Sequence, residues 1–173
     1  MLVKNIKQKQ GEEPLVDAFK DTIAQPELRP FVSVDLPLPT SIPVDYIPDA
    51  SVRLELYRKL ARITSEDGFD EIQEEFHDRF GNPPQDVLNL IWQTRIKLMA
   101  EQVGFYSIAV EGQQLVMRYP PLPKDIKHRN MISLEPTWRS GKNEYWPRFS
   151  MNGEEWKTYL VEALNILNKD GQK

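Results

Sequence analysis

Residues 67–87 read DGFDEIQEEFHDRFGNPPQDV, and the architecture turns on them. Phe69, Ile72, Phe76 and Phe80 recur at the three- and four-residue spacing that lines up side chains on one side of an α-helix. Gly81 can take the positive-φ backbone that ends a helix, and Pro83 and Pro84 prevent its continuation. The pattern predicts a helix over 65–80 that buries a phenylalanine stripe. At about 100° per residue, Asp67, Glu71, Glu74, Glu75 and Asp78 then fall on the opposite, outward side. Seven acidic residues stand between Glu66 and Asp78, with no lysine or arginine among them. Like charges on neighbouring turns cost roughly a few tenths of a kcal/mol per pair, so a cationic surface would relieve the stripe. Two readings follow: a solvated face that maintains solubility, or a docking face for a basic partner.

Helices flank this one on both sides. Asp49 is a natural N-cap for a helix carrying Val52, Leu56, Leu60 and Ile63 on one side, with Tyr57 flanking. A third helix opens at Pro84 and buries Val87, Leu88, Ile91, Leu98 and Met99 before Gly104. Beyond Gly104 the period drops to two. FYSIAV, EGQQ and LVMRYP read as a β-hairpin with Gly112 in its turn. MISLEPTW and EYWPRFSM are expected to add two strands around a turn at RSGKNE. A last helix over 153–168 places Trp156, Tyr159, Leu160, Ala163, Leu164 and Leu167 on one face. Upstream, six prolines between positions 26 and 48 favour extended backbone, and FVSVDL alternates well enough for an edge strand. Residues 1–34 read as a connector, in which Leu2, Val3 and Ile6 suit the end of a short helix that KQKQGEEP breaks. The expected class is α+β: N-terminal helices packed with a small antiparallel β-sheet and a C-terminal helix.

Composition excludes several chemistries. A chain of 173 residues that is 40% hydrophobic can bury one sizeable core. With no cysteine, disulfides, thiol nucleophiles and thiolate metal sites are out. A net charge of −4 argues against whole-surface attraction to nucleic acid or an anionic membrane. No apolar run approaches the roughly 20 residues of a membrane span, and a soluble, intracellular protein is expected. The two histidines, His77 and His128, are far apart and lack an HExxH setting, and no GxxxxGK phosphate cradle occurs. A hydrolase built on the acidic helix would need a cleft, whereas the wheel points those carboxylates outward. The basic stretch Arg118, Lys124, Lys127, Arg129, Arg139, Lys142 and Arg148 is interleaved with Trp138, Tyr145 and Trp146. It reads either as a nucleic-acid-binding surface over 118–148 or as sheet-packing aromatics with wet charges.

IPVDYIPDASVRLELYRKLARI, then FDEIQEEFHDRFGNPP, then a third helix ending LMAEQVGF, resemble the C-terminal domain of bacterial transcription-repair coupling factors. The resemblance is strong over 35–105 and weaker through the hairpin and last helix. It implies that 35–173 is a regulatory domain and that 1–34 leads in from an upstream translocase module. The parent proteins are ATP-dependent DNA translocases that remove stalled RNA polymerase from double-stranded DNA and recruit excision repair in the cytoplasm. ATP and magnesium would belong to modules outside this stretch, leaving it no cofactor and no catalytic residue. In the family the C-terminal domain is autoinhibitory. It docks on an N-terminal module resembling excinuclease B and masks the surface that binds excinuclease A. Family carboxylates that meet arginines of that module match Glu75 and Asp78. Glu71 and Glu74 extend the docking face because they share the outward side of the same helix.

Overall fold

The computed structural model describes residues 32–170; the connector 1–34 lies almost wholly outside them. Nine elements follow in order: β1 (Ser33–Asp35), α1 (Ala50–Ala61), α2 (Glu66–Phe80), α3 (Gln85–Val103), β2 (Ser107–Glu111), β3 (Gln114–Arg118), β4 (Trp138–Ser140), β5 (Glu144–Pro147) and α4 (Glu155–Asp170). They form an α+β fold with a five-stranded sheet in the order β1-β2-β3-β5-β4.

Local chemistry accounts for most boundaries. The Asp49 carboxylate accepts from the backbone N–H groups of Ser51 and Val52 and so caps α1. Gly81, at φ 81°, ends α2, and its N–H donates to the His77 carbonyl. Gly104, at φ 86° and ψ 21°, closes α3 in the left-handed conformation. Gly68 does not interrupt α2; a Cβ there would sit 3.0 Å from Cγ2 of Ile63, so the glycine leaves room for the isoleucine that turns the chain from α1 into α2.

The sheet departs from expectation in two respects. It is mixed, not antiparallel: β1 runs parallel to β2, with Ser33 opposite Ser107 and Asp35 opposite Ala109. A parallel neighbour needs a long crossover, and the three helices between β1 and β2 provide it. The hairpin β2–β3 is as expected, with Glu111 opposite Gln114 across a Gly112–Gln113 loop and positive φ at Gly112. The second departure is in β4, which starts only at Trp138 and includes Arg139 and Ser140 from the expected turn; residues 131–137 are irregular. Pro136 has no N–H to give a ladder, so pairing begins beyond it. β5 ends at Pro147, with RFSM outside the strand.

Two apolar clusters share α3. Ile42, Ile47, Leu56, Leu60, Phe69, Ile72, Phe76, Val87, Ile91 and Leu98 fill the space among the three helices. Leu36, Ile96, Met99, Phe105, Ile108, Leu115, Met117, Tyr145, Leu160 and Leu164 belong to the larger cluster between the sheet, α3 and α4. Leu88, expected in the core, is only half-buried, and the neighbouring Asn89 is buried instead. Its side-chain amide donates to the Pro39 carbonyl at 3.1 Å and its oxygen accepts from Gln85 at 3.0 Å, which compensates its burial and ties the extended 36–48 segment to α3.

Candidate functional site

The acidic helix α2 rests on Phe69, Ile72 and Phe76, all fully buried. Phe76 packs against Tyr46 at 6.5 Å between ring centroids and against Phe80 at 6.4 Å. Tyr46 also donates from its hydroxyl to the Gly81 carbonyl at 2.9 Å. The helix is therefore held rigidly at its C-terminal end, where carboxylates and the α2–α3 turn meet.

The seven acids of this helix fall into three groups. Glu75 sits on the flank facing α1, only 19% exposed, and its carboxylate is shared between Lys59 of α1 and Arg79 one turn on. The Lys59 hydrogen bond chiefly, with that of Arg79, holds its pKa below the usual value against partial burial. Glu66 and Asp70 lie on the other flank, facing α3: Arg95 Nε is 3.0 Å from Glu66 Oε2, without hydrogen-bond alignment, and Arg95 Nη2 is 3.6 Å from Asp70 Oδ1. Asp67, Glu71, Glu74 and Asp78 point away from the domain, and among the described residues none of them has an ion-pair partner. So the expected docking set divides. Asp78, Glu71 and Glu74 stand free on the outward face, whereas Glu75 bridges two helices. A wheel places Glu75 about 75° from the centre of the outward face, which left it ambiguous; only the position of Lys59 on α1 resolves it.

A shallow groove of about 560 Å³ runs along the same face, lined by Asp70, Gln73, Glu74, His77, Asp78, Asn82 and Pro83. Gln73, His77 and the Asn82–Pro83 turn were not anticipated. Their signal was present: 70, 74, 77 and 78 follow the helical spacing of one edge. Among the described residues no group of three or more His, Asp or Glu could hold a metal ion, and no helix is long and apolar enough to cross a membrane.

The basic stretch is largely committed to the fold. Arg118 is bonded to Glu111 and, at 2.8 Å, to Glu144. Arg148 meets Glu135 at 2.6 Å. Arg129 lies 4.3 Å over the Tyr119 ring and donates to the Pro120 carbonyl. Trp138 and Tyr145 are buried, and the Trp146 ring lies across Gly141, where a Cβ would come within 2.9 Å of it. Lys124, Lys127, Arg139 and Lys142 remain exposed, without a stacking platform from Trp138 or Tyr145 beside them.

Comparison with known proteins adds the identity. The TRCF domain family matches residues 36–128. The transcription-repair-coupling factor of Escherichia coli strain K12 is 34% identical over 106 residues, 59% of this chain and 9% of that protein. That of Haemophilus influenzae is 32% identical over 100 residues, 58% of this chain and 8% of its own length. The chain thus spans less than a tenth of these curated relatives. The crystal structure of the C-terminal domain of transcription-repair coupling factor shares the fold, with a TM-score of 0.64 at 18% identity over 81% of this chain and 95% of that one. With a family match that spans all three helices and the hairpin, and a shared fold extending through most of the chain, the protein belongs to the TRCF domain family.

Proposed function

We propose that this domain is a non-catalytic regulatory module of a transcription-repair coupling factor, docking through the outward face of α2 on a basic surface of the N-terminal excinuclease-B-like module. Docked there, it masks the surface that binds excinuclease A, and engagement of RNA polymerase on double-stranded DNA by the parent releases it, in the cytoplasm. The observation that carries this reading is the division of the acids: Asp67, Glu71, Glu74 and Asp78 are left without intramolecular cations among the described residues, although basic side chains reach the neighbouring flanks. An exposed ion pair contributes about 0 to 1 kcal/mol, so several give a weak contact. Within one chain, tethering raises the effective concentration towards roughly millimolar, and a weak contact stays closed until it is pulled apart.

Titration calorimetry of the domain against the isolated N-terminal module of a transcription-repair coupling factor, at two salt concentrations, tests this. Expected is salt-weakened binding that Glu74→Arg with Asp78→Arg abolishes. Undiminished binding by that double variant would sink the reading. Glu75 is a poor choice for the same test, since reversing it would also break the α1–α2 bridge.

A further inference from the structure

Helix α3 has three faces, and two are covered. Val87, Ile91 and Leu98 turn into the helical cluster, and Ile96, Met99 and Ala100 into the sheet cluster. The third face carries Leu90, Thr94, Lys97 and Glu101, at i, i+4, i+7 and i+11. It forms the floor of a trough. Two depressions, of about 310 and 220 Å³, share Leu90, Thr94 and Lys97. One wall of the trough is the end of α1, with Tyr57, Leu60 and Ile63; the other is the start of β1, with Val32 and Val34. The trough is apolar along its centre, and Tyr57 exposes more than a third of its surface to it or its rim.

We infer that the trough is the seat of residues 14–25 of the same chain, PLVDAFKDTIAQ. Chain continuity argues for it: the described residues begin at Val32, which lines one end of the trough. Pattern argues for it too. Leu15, Val16, Phe19 and Ile23 fall within about a 100° arc at helical spacing, while Asp17, Lys20 and Asp21 fall outside it. Pro14 suits the first turn of a helix, and Pro26 ends one. Length agrees as well: from Leu90 to Glu101 the floor runs about 16 Å at 1.5 Å per residue, and Leu15 to Ile23 run about 12 Å. The eight residues between Ile23 and Val32 can span up to about 30 Å, enough to double back along α3. A helix seated there would fix the direction in which the preceding chain leaves the domain, on a face different from that of the acidic stripe.

The chain has no cysteine, so Ala18→Cys accepts a single spin label in the whole chain, with methyl NMR as the readout. The expected result is strong broadening of the Ile63, Leu90 and Leu98 methyl signals, lost when Phe19→Asp is added. Sharp methyl signals in the labelled chain would overturn the inference, as would broadening that survives Phe19→Asp. A mixture of spin-labelled and isotope-labelled copies identifies the remaining occupant: broadening as strong in that mixture means that a second copy fills the trough, and the inference fails. No partner module is present in the experiment, so its outcome is independent of docking by α2.

Discussion

At the scale of single residues, Glu75 shows how a carboxylate's task depends on a neighbour far away in sequence. Its folded-state pKa lies below the ordinary 4.5, because Lys59 and then Arg79 favour the charged form. A depressed pKa means that the folded state holds its proton less readily than the unfolded chain does. The bridge therefore stabilises the fold above pH 4.5, and that contribution is lost as pH falls through the lower, folded value. Glu75→Gln is expected to remove about 1 kcal/mol at neutral pH, the range for partly exposed pairs, and to reduce the loss of stability below about pH 4.5. Urea titrations of both proteins between neutral and acidic pH measure this. Equal stability of the two at neutral pH would mean that Lys59 and Arg79 contribute nothing through Glu75.

At the scale of elements, α2 is a rigid platform because its apolar side is aromatic and locked. Phe76 is fully buried, packs on Tyr46 and Phe80, and anchors the same end of the helix that carries Glu74 and Asp78. Phe76→Ala removes a large buried side chain from a site hemmed in by α1, α3 and the 42–47 segment, and is expected to cost about 3–5 kcal/mol in chemical denaturation. A loss below about 1 kcal/mol would mean that the rings around it collapse into the gap. Much of this element was legible beforehand, since a phenylalanine at each turn followed by Gly81 and two prolines admits few other readings. The sheet was less legible: β4 is three residues long, and the parallel partner of β2 stands more than seventy positions upstream in β1.

At the scale of the whole molecule, the two apolar clusters cannot separate without breaking α3, whose successive turns serve both. One cooperative unfolding transition is therefore expected. Trp92 is on α3, Trp138 and Trp146 are in the sheet, and Trp156 is on α4, so tryptophan fluorescence follows the sheet side. Far-ultraviolet circular dichroism follows all four helices. The two should give coincident urea curves, and a circular dichroism transition preceding the fluorescence change would show that the three-helix layer melts by itself.

Sequence by itself determined the helices, their caps and stops, the hairpin, the α+β class and the side of α2 that faces the core. These are set by spacing and backbone preference among residues close together in the chain. Tertiary structure alone decided the parallel pairing of β1, the mixed character of the sheet and the sharing of α3 between two clusters. It also decided which acids remain free. Asp78, Glu71 and Glu74 keep their charges exposed, while Glu75 is neutralised by Lys59, sixteen residues away. Electrostatic partnership depends on distance in space, and helical periodicity within α2 carries no information about where α1 places its lysine.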